Sequence, residues 1–530
     1  MGLVEVVLEH VSIKSVALVI LVALVLRLVL ARVDEHRRIK RLGNYGPTIK
    51  NYAPLGIDFM VRSIRAYNRN EMLKLWFDHY FGPTGSWTVE TRLVNQRLIF
   101  TADPENMKAM LATQFGDYGK GEDFHREWKE FLGDSIFTTD GAQWQSSRQL
   151  IRPQFTRDRV SDLDCFESHV ETLFQAMANG GPLDGSRQGL VDLSQSHGRV
   201  IEISNLFYRY TLDVATDFLL GADVKSLSTP KQEFAEAFDE VQRIQCIMNR
   251  TSKFRFLFPK SRYRACLRVV NDFVHKFIDR ALRLTPEELE AKDKNYTFLH
   301  ELARFSRDPQ FIRDQIVAVL LAGRDTTAGT LSWAIYELAR HPAAVARLRT
   351  EILETVGSDR APTYEHLKNM PYLKAVLNET LRLYPAVPFN LRRALVDTTL
   401  PRGGGPDGSE PLPVLKGTPI GYSPLVMQRR PDLFPPASDS LADPAVFSPE
   451  RWANWHPRPH DYIPFNAGPR ICIGQQFALT EMSYVLCRMF QRFARVESHM
   501  QPIDGGEPAI KIDITVTPAK GVRVAFYENE

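Results

Sequence analysis

The hydrophobic pattern changes character along the chain. Val16 to Leu26 (VALVILVALVL) is apolar without interruption, and Leu28, Val29 and Leu30 extend it beyond Arg27. Counted from Val11 the run is about 20 residues, the length at which a helix crosses a bilayer. Lys14 and Arg27 lie near its ends, where long cationic stems reach the headgroups. Further on, Trp87 to Leu111 (WTVETRLVNQRLIFTADPENMKAML) reads as two short strands followed by a helix, with Asp103 placed to cap it and Pro104 in its first turn.

From there to about Pro385 the pattern is helical. The longest helix lies between Asp308-Pro309 and His341-Pro342, its start and stop signals. About 30 residues at 1.5 Å each give a rod of roughly 45 Å. Its middle, IVAVLLAG (Ile316 to Gly323), is apolar on every side and belongs in the interior. Arg324, Asp325, Thr326 and Thr327 follow at once, and buried polar groups cost free energy unless paired or used. Strand-like pieces return at Asp397 to Leu400, Pro419 to Tyr422 and Ile510 to Val516. Turn-rich breaks fall at Gly180 to Gly189, around Lys292 to Asn295, at Arg402 to Pro413 and at Gln501 to Pro508. The expected fold is mostly α with a minor β subdomain. Residues 1–31 read as a membrane anchor, 32–57 as a basic, proline-containing linker, and 58–530 as the globular domain.

Composition narrows the class. With 530 residues, 44% apolar and 24% charged, the chain can bury a core wide enough for a cofactor. A net charge of +3 gives no nucleic-acid footprint, so the expected partner is a small molecule. A cleaved secretory signal fits poorly, because the charges before the apolar run are mainly acidic (Glu5, Glu9) and no small-residue cleavage site follows. His36 to Arg41 (HRRIKR) holds its flank on the cytoplasmic side. Five cysteines, Cys165, Cys246, Cys266, Cys472 and Cys487, are an odd number without close pairs and suit free thiols in a reducing compartment. The thirteen histidines form no HExxH-like motif.

One stretch concentrates chemistry: FNAGPRICIGQQF, Phe465 to Phe477. Cys472 precedes Gly474 and an apolar helical run, which places its sulfur near a helix N-terminus, where N–H groups favour a thiolate. A buried, inert cysteine in a tight turn is the alternative for a lone cysteine. The segment FNAGPRICIG resembles the haem-thiolate loop of the cytochrome P450 monooxygenases. That resemblance implies the family's fold, a long central helix over haem b with the cysteine loop beneath it, and Cys472 as the axial iron ligand.

Other motifs follow in the family's order. Glu-x-x-Arg occurs at Glu301/Arg304, Glu337/Arg340 and Glu379/Arg382, and each can be an i,i+3 surface pair. Only the last sits in NETLRLYPAVP ahead of SPERW (Ser448 to Trp452), which implies a structural triad of Glu379, Arg382 and Arg451. Trp144 and Arg148 in WQSSR lie four apart on one helical face and match the family's propionate-binding pair, and Arg392 and Arg470 resemble its other propionate donors. AGRDTT (Ala322 to Thr327) resembles the distal-helix motif, implying Asp325 and Thr326 as a proton relay. A surface aspartate beside a helix-bending threonine is the structural alternative. Arg324 receives no catalytic role. Leu320, Ala322, Thr327, Val387, Pro388 and Phe389 are the implied substrate-pocket residues.

The implied reaction is insertion of one oxygen atom of O2 into an unactivated C–H bond. No dinucleotide fingerprint occurs, since GGG at Gly403 to Gly405 opens no helix. NADPH would therefore act through a separate cytochrome P450 reductase, with both proteins anchored in the endoplasmic reticulum membrane and the catalytic domain facing the cytosol. SIFTTDGAQWQSSRQLIRPQF, LLAGRDTTAGTLSWAIYELARHP and NAGPRICIGQQFALTEMSYVL look like the fungal microsomal group that hydroxylates n-alkanes and fatty acids, implying terminal or near-terminal hydroxylation. Fungal tailoring of polyketides or terpenoids is the alternative substrate class. A haem-thiolate isomerase or dehydratase is the alternative chemistry.

Overall fold

In the computed structural model, residues 13–94, 96–156, 161–185, 189–251, 255, 258–290, 297–438 and 441–529 are described. The break expected around Lys292 to Asn295 and the start of the apolar run before Ile13 lie outside them. Helix α1 (Ile13–Leu42) carries the apolar run, which is exposed from Ser15 to Ala31. An 18-residue window within Ser15–Leu42 has mean hydropathy 2.7 and nothing packed on it, so α1 is a candidate membrane span. The boundary expected at residue 31 falls inside this helix. Residues 32–42 dock on the globular body: Arg38 donates to both oxygens of Asp397 at 2.7 and 2.6 Å, Arg92 of the body reaches Glu35 at 2.9 Å, and Ile39 is fully buried.

Asp103 caps the helix Pro104–Lys108 as expected, accepting from the Glu105 and Asn106 N–H groups. The strands before it, β1 (Thr88–Leu93) and β2 (Gln96–Thr101), pair antiparallel. They form one edge of a five-stranded sheet ordered β1-β2-β8-β5-β3, with β3 at Tyr118–Gly119, β5 at Asn390–Ala394 and β8 at Pro419–Tyr422. The stretch expected as a turn-rich break at Arg402 to Pro413 is a hairpin of β6 (Thr398–Gly404) and β7 (Glu410–Val414), with a register shift between Leu400 and Gly404. Ile510 to Val516 is likewise a hairpin rather than one strand, β10 (Ile510–Ile512) with β11 (Val516–Pro518). A three-stranded sheet, β4 (Val200–Glu202), β12 (Arg523–Glu528) and β9 (Phe493–Ser498), escaped the sequence pattern because its strands join segments some 300 residues apart.

The helices that frame the site are α2 (Gly121–Leu132), α3 (Gly141–Ile151), α4 (Asp164–Asn179), α5 (Ile203–Leu220), α6 (Glu233–Thr251), α7 (Ser261–Leu282), α8 (Pro309–Leu338), α9 (Pro342–Thr355), α10 (Pro371–Leu383) and α11 (Gln475–Arg492). α8 is the long helix the sequence predicts, with Asp308 accepting from the Gln310 N–H and Pro309 at its first position. It threads both major apolar clusters. Its first half packs with α2, α5, α6 and α7, and its second half packs with α4, α9, α10 and α11.

Candidate functional site

The cysteine loop is held from several sides. Asn466 and Gly468 both adopt left-handed backbone, φ 64° each. A Cβ on Gly468 would lie 1.7 Å from the Leu111 carbonyl oxygen, so only glycine fits there. Gly474 needs no such freedom, because a Cβ would find nothing nearer than Phe155 at 3.7 Å. Asn466 accepts from the Tyr422 hydroxyl and donates to the Arg470 carbonyl, and the Cys472 N–H bonds the Phe465 carbonyl at 2.9 Å. Cys472 lies at the entry to α11 and keeps exposed surface; desolvation by the surrounding protein pushes its thiol up while the Gly474 N–H and Arg148 pull it down. A coordinating metal ion deprotonates a thiol outright, so those two donors are arranged for the anion.

Four cations collect around this loop. Arg148 of α3 donates to the Ile471 carbonyl at 3.0 Å, and Arg470 stacks over Trp144 at 4.6 Å from its ring centroid. Arg392 of β5 is 2% exposed and lies over Tyr422, whose hydroxyl reaches the loop. Lys120, ahead of α2, is buried with its ammonium on Asn390. Asp140 pairs with one of them, at 2.6 Å from Arg470, and accepts from the Lys120 backbone N–H. Arg392 pairs with no carboxylate among the described residues, and the Nε atoms of Arg392 and Arg470 are buried without a hydrogen-bond acceptor. Burial and the neighbouring Arg392 push Arg470 down to about 10 and hold Lys120 well below its ordinary value. Buried guanidinium N–H groups without acceptors call for anionic oxygens. The two propionates of the haem that the resemblance implies fit this donor set. Lys120 had no sequence signal; only the approach of β5 and the cysteine loop reveals it.

In the middle of α8 the accessible face is formed by Ala322, Gly323 and Thr326, while Val319 one turn earlier is buried. The Thr326 hydroxyl donates to the Ala322 carbonyl at 2.6 Å, which leaves its lone pairs free to accept. Asp325 lies on the flank of the helix and points to α6. Its two oxygens accept from Arg324 at 2.9 Å and from Gln242 at 2.7 Å. Arg324 is buried, bridges Asp325 to Asp239 at 2.8 Å and lies over the Tyr208 ring. Asp239 is 58% exposed, so this chain of groups runs from solvent to the distal helix. Burial pushes the Asp325 carboxyl up to about 6, against the pull of Arg324. A methyl group on Gly323 would meet only Ala215, at 3.6 Å. Gly323→Ala is therefore expected to fold and to gain about 0.5–1 kcal/mol, read as a higher Tm, because the backbone entropy cost of glycine is removed.

Glu379, Arg382 and Arg451 are all fully buried. Arg382 holds Glu379 in a bidentate pair at 2.8 and 2.7 Å, and Arg451 Nε reaches the same carboxylate at 3.3 Å. The Ser448 N–H and the Trp452 indole N–H complete its shell. The remaining guanidinium N–H groups clamp the carbonyls of Ala442, Asp443, Pro444 and Val446. The charges are paired and their donors used, as burial demands.

Three of the expected pocket residues are buried. Thr327 is buried and its hydroxyl meets Glu481 of α11, because it lies about 100° around the helix from Thr326. Leu320 shares that flank and packs in the apolar cluster with α2, α5, α6 and α7. Pro388 is buried, with its carbonyl taken by the Ser423 hydroxyl at 2.8 Å. Ala322 and Val387 keep accessible surface. Phe389 is half-buried and stacks on Trp76 at 5.5 Å.

Sequence comparison agrees with this geometry. The family model described as Cytochrome P450 matches residues 60–522. The cytochrome P450 monooxygenase pvhE of Talaromyces variabilis is 62% identical over 504 residues, covering 94% of this chain and 93% of the relative. Cytochrome P450 52A13 of Debaryomyces hansenii is 41% identical over 458 residues, 83% of each chain. Cytochrome P450 52A1 of Candida tropicalis is 40% identical over 460 residues, 83% of this chain and 80% of the relative.

Proposed function

The chain belongs to the cytochrome P450 family, and from that premise we propose that this monooxygenase hydroxylates a long aliphatic chain, an n-alkane or fatty acid, at or near its end. The family binds haem b, which when bound supplies the centre where dioxygen is activated, and takes its electrons from a reductase. Here Cys472 would hold the iron, while Trp144, Arg148, Arg392 and Arg470, joined by Lys120, would hold the propionates. NADPH feeds a reductase in the endoplasmic reticulum membrane, where α1 is the anchor and the basic segment His36 to Arg41 keeps the domain on the cytosolic side.

The observation that supports an aliphatic substrate is the face of α8. The charged residues of its motif, Arg324 and Asp325, are turned into mutual pairs toward α6, so the accessible face offers methyl groups, backbone and one hydroxyl. Such a surface gains from apolar contact and leaves no buried charge for the substrate to satisfy. The Thr326 hydroxyl orients water beside this face, and Asp325, whose carboxyl is held up to about 6, passes on the protons that dioxygen consumes, while Arg324 stays protonated and only positions it. Mass spectrometry of products formed with reductase, NADPH and a panel of alkanes, fatty acids, polyketides and terpenoids tests the substrate class. Terminal alcohols carrying label from dioxygen are expected. Oxygenated polyketides or terpenoids alone would transfer the assignment to tailoring chemistry, and an unlabelled product made without reductase would point to an isomerase or dehydratase.

Asp325→Asn is expected to lower turnover by roughly 10²–10⁴-fold, the span of a lost proton donor. Its pH signature follows from linkage. The folded chain holds the Asp325 proton up to about pH 6, whereas the unfolded chain releases it near 3.8. The stability this contributes is present below the lower value and lost as pH rises through the upper one. Wild type should therefore lose stability relative to Asp325→Asn across that window, as measured by paired thermal melts. A pH-independent difference between the two proteins would contradict the assignment.

A further inference from the structure

Away from the haem loop, α4 and α5 face each other with an unusual set of side chains. Cys165 and His169 lie four residues apart on one face of α4, and Asp217 lies opposite them on α5. The Asp217 Oδ2 atom is 3.6 Å from the Cys165 sulfur and 3.1 Å from His169 Nε2, and the three atoms lie within 4.8 Å of one another. Two more carboxylates, Asp213 and Asp223, bring an oxygen within 4.8 Å of a His169 ring nitrogen. Among the described residues, none of the three aspartates pairs with a lysine or arginine. One imidazole thus stands among three carboxylates and a thiol. His169 is 4% exposed and Asp213 is 1% exposed, while the Asp217 side chain is 38% exposed and opens the cluster to solvent.

We propose that Cys165, His169 and Asp217 form a binding site for a thiophilic divalent cation of the zinc class, with Asp213 and Asp223 supporting the imidazole. Zinc bonds of about 2.3 Å to sulfur and about 2.0–2.2 Å to nitrogen and oxygen, at tetrahedral angles, set ligands roughly 3.6 Å apart for S···O and roughly 3.3 Å apart for N···O. The observed separations match both. The i,i+4 spacing lets one helix present two ligands to one ion, and a thiolate selects zinc over magnesium or calcium. Binding displaces the thiol proton to solvent, and the cation neutralises the excess acidic charge. With three protein ligands the fourth position is left to water. The ion would join α4 to α5, the helix that packs on α8.

The test uses the full-length haem-loaded protein, dialysed without chelator after expression with added zinc. Expected are one zinc per chain, a sulfur neighbour at about 2.3 Å in X-ray absorption at the zinc edge, and a Tm that a zinc chelator lowers. Cys165→Ser and His169→Gln should each reduce retained zinc at least tenfold and abolish the chelator's effect on Tm, while the haem-to-protein ratio stays unchanged. Should a variant fail to fold, zinc competition against a chromophoric chelator with the wild-type protein decides the matter. Zinc content equal in wild type and variants, bound zinc without a sulfur neighbour, or no competition by the wild-type protein would overturn the site.

Discussion

Cys472→Ser is expected to abolish both the red-shifted ferrous carbon-monoxide band and reductase-dependent turnover, while leaving a folded protein. The sulfur is the feature of the loop that no other residue supplies, because its electron donation favours O–O cleavage and an alkoxide does not reproduce it. The loop itself does not depend on the sulfur. Asn466 is tied to Tyr422 and Arg470, and Gly468 sits against Leu111 through backbone alone. The cationic donors also survive the change, so haem can bind weakly with altered ligation. Difference spectra with carbon monoxide, alongside haem content per chain, distinguish the outcomes. A surviving band would mean that another residue ligates the iron.

Glu379→Ala should yield little or no soluble holoprotein. The substitution leaves Arg382 and Arg451 as uncompensated charges in a site with no solvent access, and breaking a buried pair in this way costs about 3–5 kcal/mol. Domain stabilities are about 5–15 kcal/mol, so the loss is a large fraction of the whole. The damage also spreads. The same two guanidinium groups clamp four carbonyls between Ala442 and Val446, in the segment that leads to the cysteine loop. Glu379→Gln keeps the acceptor for Arg382 and should fall between the two. Arg382→Lys should resemble the alanine variant, because an ammonium cannot reproduce a bidentate pair and the bonds to Pro444 and Val446 together. Thermal melts and haem-to-protein ratios check the series, and a Glu379→Ala protein with wild-type values for both would refute the role.

The parts of the site that sequence alone exposed share a local cause. Asp308-Pro309 starts α8 and Asp103-Pro104 starts the helix after β2 because capping needs only neighbouring residues. Glu379 and Arg382 meet because residues three apart share a helical face, and Trp144 and Arg148 do so at four. The same reasoning misled at Arg402 to Pro413. Glycines and prolines signalled a loop, but a register shift and left-handed Gly403 and Gly405 turn them into a hairpin.

Along its own length the chain determined its helical character, its apolar N-terminal run, the single cysteine loop and the order of the motifs, since periodicity, caps and glycine requirements are properties of a few adjacent residues. Tertiary structure decided which way those residues face. Asp325 engages Gln242 rather than the accessible face of its own helix, and Thr327 turns to Glu481. Lys120 joins Arg392 and Arg470, and Cys165 and His169 meet Asp217. Each of these meetings spans about 50 to 350 residues of chain, and what sets it is the packing of helices and the closing of sheets around shared apolar clusters, which no short window of sequence contains.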